Sequence, residues 1–177
     1  MNILKKQGVA WVITIVMIVA AIGIGAGKAN TSAVTPEPSQ TYAPIVNDAS
    51  QYVYDDAGVL SSSEEKELSR LVGEMYASTG SVVACVTTNY GWDDLYDFAL
   101  DYADSIGLGA YDFIVVLDIS GENYWLVQGI GLVDYFTDDD CGDYAWNYME
   151  DHFARGDYGS ALTELVKALY DWCQKNG

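Results

Sequence analysis

The feature that most constrains the fold is a nearly continuous apolar segment, Phe113–Ile119, which is rich in isoleucine and valine and has Asp118 near its end. Such a run is typical of a strand buried on both faces. Residues 120–123 supply turn chemistry, and residues 124–129 have the character of a second strand. The sequence therefore predicts a central strand and a hairpin within one sheet, with the rest of the domain arranged around this pair.

A second apolar segment, Val9–Gly27, carries no charge and lies ahead of the domain. At about 1.5 Å per residue, a helix of this length matches the apolar thickness of a bilayer. The pair Lys5-Lys6 places residues 1–8 in the cytoplasm and the remainder outside. A cleaved signal peptide is the alternative, since Gly27-Lys28-Ala29 or Thr31-Ser32-Ala33 offers small residues to a peptidase. We favour an uncleaved single-pass anchor in the cell membrane, and with either alternative the domain is extracytoplasmic.

Residues 28–50 have the composition of a flexible linker. They contain all three prolines of the chain and almost no apolar periodicity. The ordered domain is expected to span residues 51–175.

The charge of the chain is very uneven. Residues 29–177 carry five basic and 26 acidic side chains, a net charge of −21. This polarity argues against nucleic acid or an anionic lipid surface as a partner, because each would repel the domain. It favours cations and basic partners, although an acidic surface that serves solubility alone is an alternative.

Helical and strand patterns alternate through the domain. Ser61–Glu65 offers overlapping capping boxes at the start of a helix, which Thr79-Gly80 ends. Further helices are expected at 92–106, 140–153 and 158–175, and a strand at 81–88. The order predicts an α/β fold, a sandwich in which helices cover a mixed sheet. The residues expected to face the core are Leu68, Leu71, Val72, Met75, Tyr76, Trp92, Leu95, Tyr96, Ala99, Ala103, Tyr144, Ala145, Tyr148, Met149, Leu162, Leu165, Val166 and Leu169.

Motifs at the junctions between these elements, taken in order, resemble the TPM domain over roughly residues 51–173. The motifs are Tyr52–Ser61, Thr79-Gly80, Gly107-Leu108-Gly109, Gly129-Ile130-Gly131 and Phe153-x-x-Gly156-Asp157-Tyr158. The resemblance implies an α/β sandwich, commonly membrane-anchored outside the cytoplasm. It also implies a divalent-cation site, usually for calcium, built from acidic residues in loops at one edge of the sheet. One family member is a thylakoid-lumen protein tied to photosystem II repair and described as an acid phosphatase.

Carboxylates at strand ends and in loops converge on a cation more easily than those on a helix face. Asp55 and Asp56 follow the first extended element, Asp118 ends the central strand, and Asp134 follows the glycine pair. These four are the candidate ligands for Ca²⁺ or Mg²⁺. A turn or capping role is the alternative for Asp55, Asp56 and Asp118. Asp157 is more typical of a helix N-cap.

No catalytic motif stands out, so no catalytic residue is assigned. His152 is the only histidine, and a structural or exposed role is expected for it, which leaves triad chemistry without a base. A phosphatase on this scaffold would depend on metal-bound water.

The three cysteines are Cys85, Cys141 and Cys173. Cys85 is expected to be a small buried residue of a strand. Cys141 and Cys173 lie at ends of two helices that a short turn would make antiparallel, and an oxidising exterior permits disulfides. We expect a structural disulfide between them.

Three functions follow from these features. The first is an anchored module that binds a divalent cation and an unknown protein partner and serves envelope maintenance. The second is a metal-dependent phosphatase of the TPM type. The third is a structural ectodomain without metal. We favour the first.

Overall fold

The computed structural model describes residues 52–91 and 94–177. Within these ranges four strands form one sheet. They are β1 (Val53–Asp55), β2 (Val83–Thr88), β3 (Phe113–Asp118) and β4 (Asn123–Gln128), and they lie in this order across the sheet. Strands β1 to β3 run parallel, and β4 pairs with β3 antiparallel. The central strand and hairpin predicted from the sequence are confirmed.

Strand β3 forms the centre of the core, and all six of its residues are buried. Alternate side chains point to opposite faces of the sheet. On one face, the Phe113 ring packs edge-on against Phe136, with centroids 5.3 Å apart, and against Trp172 at 6.3 Å. This face is the one that supports the C-terminal helices.

The opposite face of the sheet packs against a single described helix, α2, Leu95–Ile106. Tyr54 and Trp125 lie in the same cross-strand row as Val116. The Tyr54 ring contacts Tyr102 at 5.4 Å, and the Trp125 ring contacts Tyr96 at 5.9 Å. Helix α2 therefore crosses the sheet from β4 towards β1.

The other helices begin and end at recognisable caps. Ser61 and Glu64 form the expected capping box at the start of α1, and Gly80 ends that helix in the left-handed conformation. Asp157 is the N-cap of the last helix and accepts a hydrogen bond from the Ser160 amide. These helices are α1 (Ser62–Thr79), α3 (Asp138–Tyr148), α4 (Glu150–Phe153) and α5 (Tyr158–Asn176).

The structure corrects the helix expected at 140–153. The helix starts at Asp138, because Thr137 and Asp140 form a capping box, and it breaks at Met149 into α3 and α4. Met149 leaves helical geometry at φ −120° and ψ −39°, and its side chain is fully buried. The bend thus fixes a core side chain at the point where the chain changes direction.

Two aromatic residues expected in the core are exposed instead, namely Tyr96 and Tyr148. Tyr96 lies where α2 passes over the edge strand β4, so one side of its ring contacts Trp125 and the other faces solvent. The expected anchor and linker lie outside the described residues. No described helix combines the length and apolarity that a membrane crossing requires.

We expect Gly129→Ala to lower the free energy of unfolding by about 1–3 kcal/mol, because a new side chain would be forced into a packed backbone. A Cβ at Gly129 would lie 2.5 Å from the Ala110 carbonyl oxygen. Urea denaturation measures the effect. Gly142→Ala is the matched control: its Cβ meets nothing within 4 Å, and alanine should stabilise helix α3 by about 0.5–1 kcal/mol. Equal effects of the two substitutions would contradict the close approach at Gly129.

Candidate functional site

The three parallel strands end at one edge of the sheet, here called the carboxyl edge. Asp55 ends β1, Thr88 ends β2 and Asp118 ends β3. Parallel strands bring the residues at their ends together along one edge, and ligands commonly bind there in open α/β sheets. The carboxyl edge therefore holds three of the four candidate ligands, Asp55, Asp56 and Asp118.

Asp55 holds the turn between β1 and α1. Its carboxylate accepts hydrogen bonds from the amides of Val59 at 3.1 Å and Leu60 at 2.9 Å. It also accepts a hydrogen bond from the hydroxyl of Thr87, which lies on the neighbouring strand β2. The turn role that was the alternative for Asp55 is thus present in the structure.

Asp118 is almost fully buried, with 1% of its surface exposed. Its Oδ1 accepts hydrogen bonds from the Gly91 amide, the Ser120 hydroxyl and the Gly121 amide, at 3.1–3.2 Å. A Cβ at Gly121 would lie 2.6 Å from Asp118 Oδ2, so only glycine fits this close. The hairpin turn is therefore built around the Asp118 carboxylate.

Asp56 is an exposed carboxylate in the turn that follows β1. It lies near the Tyr102 hydroxyl, whose pKa is raised to about 12, mainly by burial and further by the Asp56 charge. Of the three candidate ligands at this edge, Asp56 is thus the one most open to solvent.

The register separates Asp55 from Asp118. Asp55 pairs with Thr87, which pairs with Leu117, whereas Asp118 pairs with Thr88. Because neighbouring residues of a strand point to opposite faces, the two carboxylates leave the sheet on opposite sides, with β2 between their strands. The expected convergence of these two side chains is not seen.

Asp134 lies at the other end of the sheet. Strand β4 is antiparallel and ends at Gln128, beside Phe113 at the start of β3. The loop that carries Asp134 therefore leaves the edge where the parallel strands begin. The structure does not bring this exposed carboxylate to the other three candidates.

Across residues 52–91 and 94–177, no group of three or more His, Cys, Asp or Glu side chains is arranged to hold a metal ion. A cation at the carboxyl edge would need backbone carbonyl and water oxygens as well, which calcium accepts. Metal binding by Asp55, Asp56, Asp118 and Asp134 stays a prediction.

Sequence reasoning missed the polar residues at the end of β2 and in the loop that follows it. Thr87 binds Asp55, the Asn89 amide group donates to the Ala57 carbonyl at 3.4 Å, and Gly91 binds Asp118. The signal was the segment Thr87–Gly91, in which polar residues end a buried strand and continue into the next loop. Once β2 is placed as a parallel neighbour of β1 and β3, this segment must lie at the same edge.

Asp112, also missed, stabilises the opposite edge. It is buried and accepts the amides of Val82 at 2.9 Å and Gly109 at 2.6 Å. Burial raises the pKa of this carboxyl, and the two backbone hydrogen bonds partly offset the rise. Asp112 thus ties the start of β3 to the start of β2.

The expected disulfide is absent from the structure, in which Cys85, Cys141 and Cys173 are all free and buried. The Cys141 thiol donates to Gln128 Oε1 at 3.0 Å, and Cys173 is hydrogen-bonded with Ser81. The two thiols therefore have different hydrogen-bond partners. Burial raises the pKa of Cys85 and Cys141 to about 12 and that of Cys173 to about 11, which disfavours the reactive thiolate.

His152 has a structural role in the turn between α4 and α5. Its Nδ1 lies 3.1 Å from the Asp157 carboxylate and 3.3 Å from the Arg155 guanidinium. The hydrogen bond to His152 lowers the pKa of Asp157. His152 therefore helps to hold Asp157, the N-cap residue of α5, in place.

The sequence model of the TPM domain matches residues 53–172, from the start of β1 into α5. The chain belongs to the TPM-domain family. The match covers more than half of the sequence and includes each junction motif from Val53 to Tyr158. The α/β fold with a mixed sheet is thus the fold of a TPM domain.

Solved structures with a similar fold include three bacterial proteins. The solution NMR structure of the N-terminal domain of a P. gingivalis protein is 25% identical, with a TM-score of 0.63, and the alignment covers 76% of this chain and 89% of that one. For the N-terminal domain of a Corynebacterium glutamicum protein the values are 19%, 0.58, 84% and 90%. For a protein of the psychrophilic Bizionia argentinensis they are 16%, 0.58, 66% and 82%. No curated protein matches the chain.

We expect Asp55→Asn to lower the free energy of unfolding by about 1–3 kcal/mol, because an amide cannot accept all three hydrogen bonds of the carboxylate. Urea denaturation measures the loss. Asp56→Asn is the matched control: this side chain is exposed, and a change below about 0.5 kcal/mol is expected. If both variants unfold at the wild-type urea concentration, Asp55 does not hold the turn.

Proposed function

We propose that this TPM domain is an extracytoplasmic interaction module that residues 9–27 anchor to the membrane and that binds a divalent cation at the carboxyl edge. The observation that supports the cation proposal is the position of Asp55, Asp56 and Asp118 along one edge of the sheet, at or just after the ends of parallel strands. Calcium is favoured over magnesium because it tolerates irregular sets of carboxylate, carbonyl and water oxygens. The role as an envelope-maintenance module rests on this placement and on the family.

The carboxylates at this edge would act unequally. Asp55 and Asp118 already accept three hydrogen bonds each, so a cation there would share each carboxylate with its turn. Asp56 is exposed in the same turn as Asp55 and adds charge. The cation would thus join the β1–α1 turn or the β3–β4 hairpin to the loop after β2. Asp134 is left out because it lies at the opposite edge.

Calorimetric titration of calcium, then magnesium, into the full-length protein tests the cation proposal. We expect saturable heat, a rise in melting temperature that grows with cation concentration as mass action requires, and weaker binding in Asp56→Asn and Asp118→Asn. Asp134→Asn removes the same charge at the opposite edge and should bind like the wild type. Heat that does not saturate, and that is the same in all four proteins, would mean counterion attraction to an acidic surface and a structural ectodomain without metal.

The phosphatase alternative is measured on the same proteins. Hydrolysis of an aryl phosphate that requires calcium or magnesium, and that falls in Asp118→Asn but not in Asp134→Asn, would favour a metal-dependent phosphatase over a binding module. Activity unchanged by these substitutions would come from a contaminant.

The anchor is tested separately. We expect the full-length protein to sediment with membranes and to need detergent for release, because Val9–Gly27 is long and apolar enough to remain in a bilayer. A variant that begins at Lys28 should stay in the supernatant. Protease added to intact cells or spheroplasts should cleave the domain of the full-length protein. Release of the full-length protein without detergent, at a mass shortened by the first residues, would show a cleaved signal peptide.

A further inference from the structure

The positive side chains of the domain are confined to one side. Residues 71–154 contain 16 aspartates and glutamates and no lysine or arginine. The basic residues after position 51 lie on α1, on α5 and in the turn between α4 and α5. Helix α2 and strand β3 therefore carry carboxylates without a lysine or arginine on the same element, and β4 carries no charged side chain.

The ion pairs of the described residues follow the same division. Arg70 pairs with Glu67 and Glu74 on α1, and Lys167 pairs with Glu164 on α5. Charges on these helices are neutralised locally. No ion pair among the described residues includes a carboxylate of α2, so that helix keeps its negative potential for other partners.

The same part of the surface exposes large apolar side chains. Tyr96 on α2 and Trp125 on β4 are 41% and 40% exposed, and their rings meet at 68° with centroids 5.9 Å apart. Leu100 lies one helical turn from Tyr96 and is also exposed. We call Tyr96, Leu100 and Trp125 the α2–β4 face. Adjacent exposed aromatics of this kind mark protein-binding surfaces, where tyrosine and tryptophan are enriched.

Carboxylates border this face. Asp97 and Asp101 are exposed and one turn apart on α2, next to Tyr96 and Leu100 in sequence. The pKa of Tyr96 is raised, first by burial and then by the charges of Asp138, Asp97 and Asp94. Carboxylates of α2 and α3 therefore lie close enough to Tyr96 to act on its hydroxyl.

We propose that the α2–β4 face binds an arginine- or lysine-rich segment of a partner protein. Cations are attracted to the faces of tryptophan and tyrosine rings, and the aliphatic stems of arginine and lysine cover apolar surface while their charges reach Asp97 and Asp101. An apolar partner would bury these carboxylates without compensation, and nucleic acid would be repelled. The inference rests on the interaction module proposed above and names its class of partner, but it uses residues other than Asp55, Asp56 and Asp118.

Fluorescence anisotropy of a short labelled peptide of alternating arginine and glycine, titrated with the full-length protein, tests the proposal. The buffer contains EDTA, and the titration is repeated with calcium. We expect saturable binding in both buffers and no binding of a peptide with glutamate in place of arginine. Trp125→Ala should weaken binding roughly five-fold. The double variant Asp97→Asn with Asp101→Asn should weaken it roughly three- to ten-fold.

Matched controls separate this face from general acidity. Trp146→Ala removes a tryptophan that is 65% exposed on α3, and Asp151→Asn with Asp171→Asn removes the same charge from exposed positions on α4 and α5. Both should bind the arginine peptide nearly as well as the wild type. Equal weakening in the control and test variants, or absence of saturable binding, would overturn the proposal.

Two features of the design keep the outcome interpretable. Asp97 and Asp101 are exposed, so their double variant is expected to fold even if Trp125→Ala does not, and circular dichroism checks this. If the wild-type protein binds calcium but not the arginine peptide, the proposed basic partner is wrong and the cation proposal stands. If the wild-type protein binds the arginine peptide but not calcium, the cation proposal is wrong and the proposed basic partner stands.

Discussion

The domain depends on the burial of β3 on both faces. Its six residues carry the contacts between the layers, since one face meets Phe136 and Trp172 and the other meets α2. Each large apolar side chain buried in this way contributes about 1.5–3 kcal/mol. The strand also fixes β2 on one side and β4 on the other. Because β2 is parallel and β4 antiparallel to β3, this pairing decides which loops meet at each edge of the sheet.

Aspartates at both edges of the sheet are held by backbone amides, which explains how so acidic a chain can place carboxylates there. Asp55, Asp112 and Asp118 each accept backbone amide hydrogen bonds at a turn or a strand start. Buried carboxylates need such partners, and these bonds give each of the three a local structural role. A cation at the carboxyl edge would add to these roles. The structural and ligand roles of an aspartate therefore do not exclude each other.

The distribution of charge gives the domain two unlike sides. Helices α1 and α5 pack together and hold their own ion pairs, whereas α2 and β4 combine carboxylates with exposed aromatic rings. Long-range attraction of a basic partner would be screened by salt, while contacts with Tyr96 and Trp125 would be less affected. In an interaction module with this arrangement, charge can speed the association of a basic partner, and contacts with the aromatic rings can slow its dissociation.

Local patterns determined much of the fold. The composition of residues 113–119 predicted a buried strand, the Ser61–Glu64 box predicted the start of α1, and the ordered junction motifs indicated the TPM domain. These signals act within a few residues, so the sequence alone carries them. Strand order and register decided the rest: they placed Asp55 and Asp118 on opposite faces and Asp134 at the other edge. The bend at Met149, the exposure of Tyr96 and the separate partners of Cys141 and Cys173 likewise depend on packing between residues far apart in the chain. Periodicity within one segment shows which of its residues are apolar, but only the neighbouring elements decide which of them are covered.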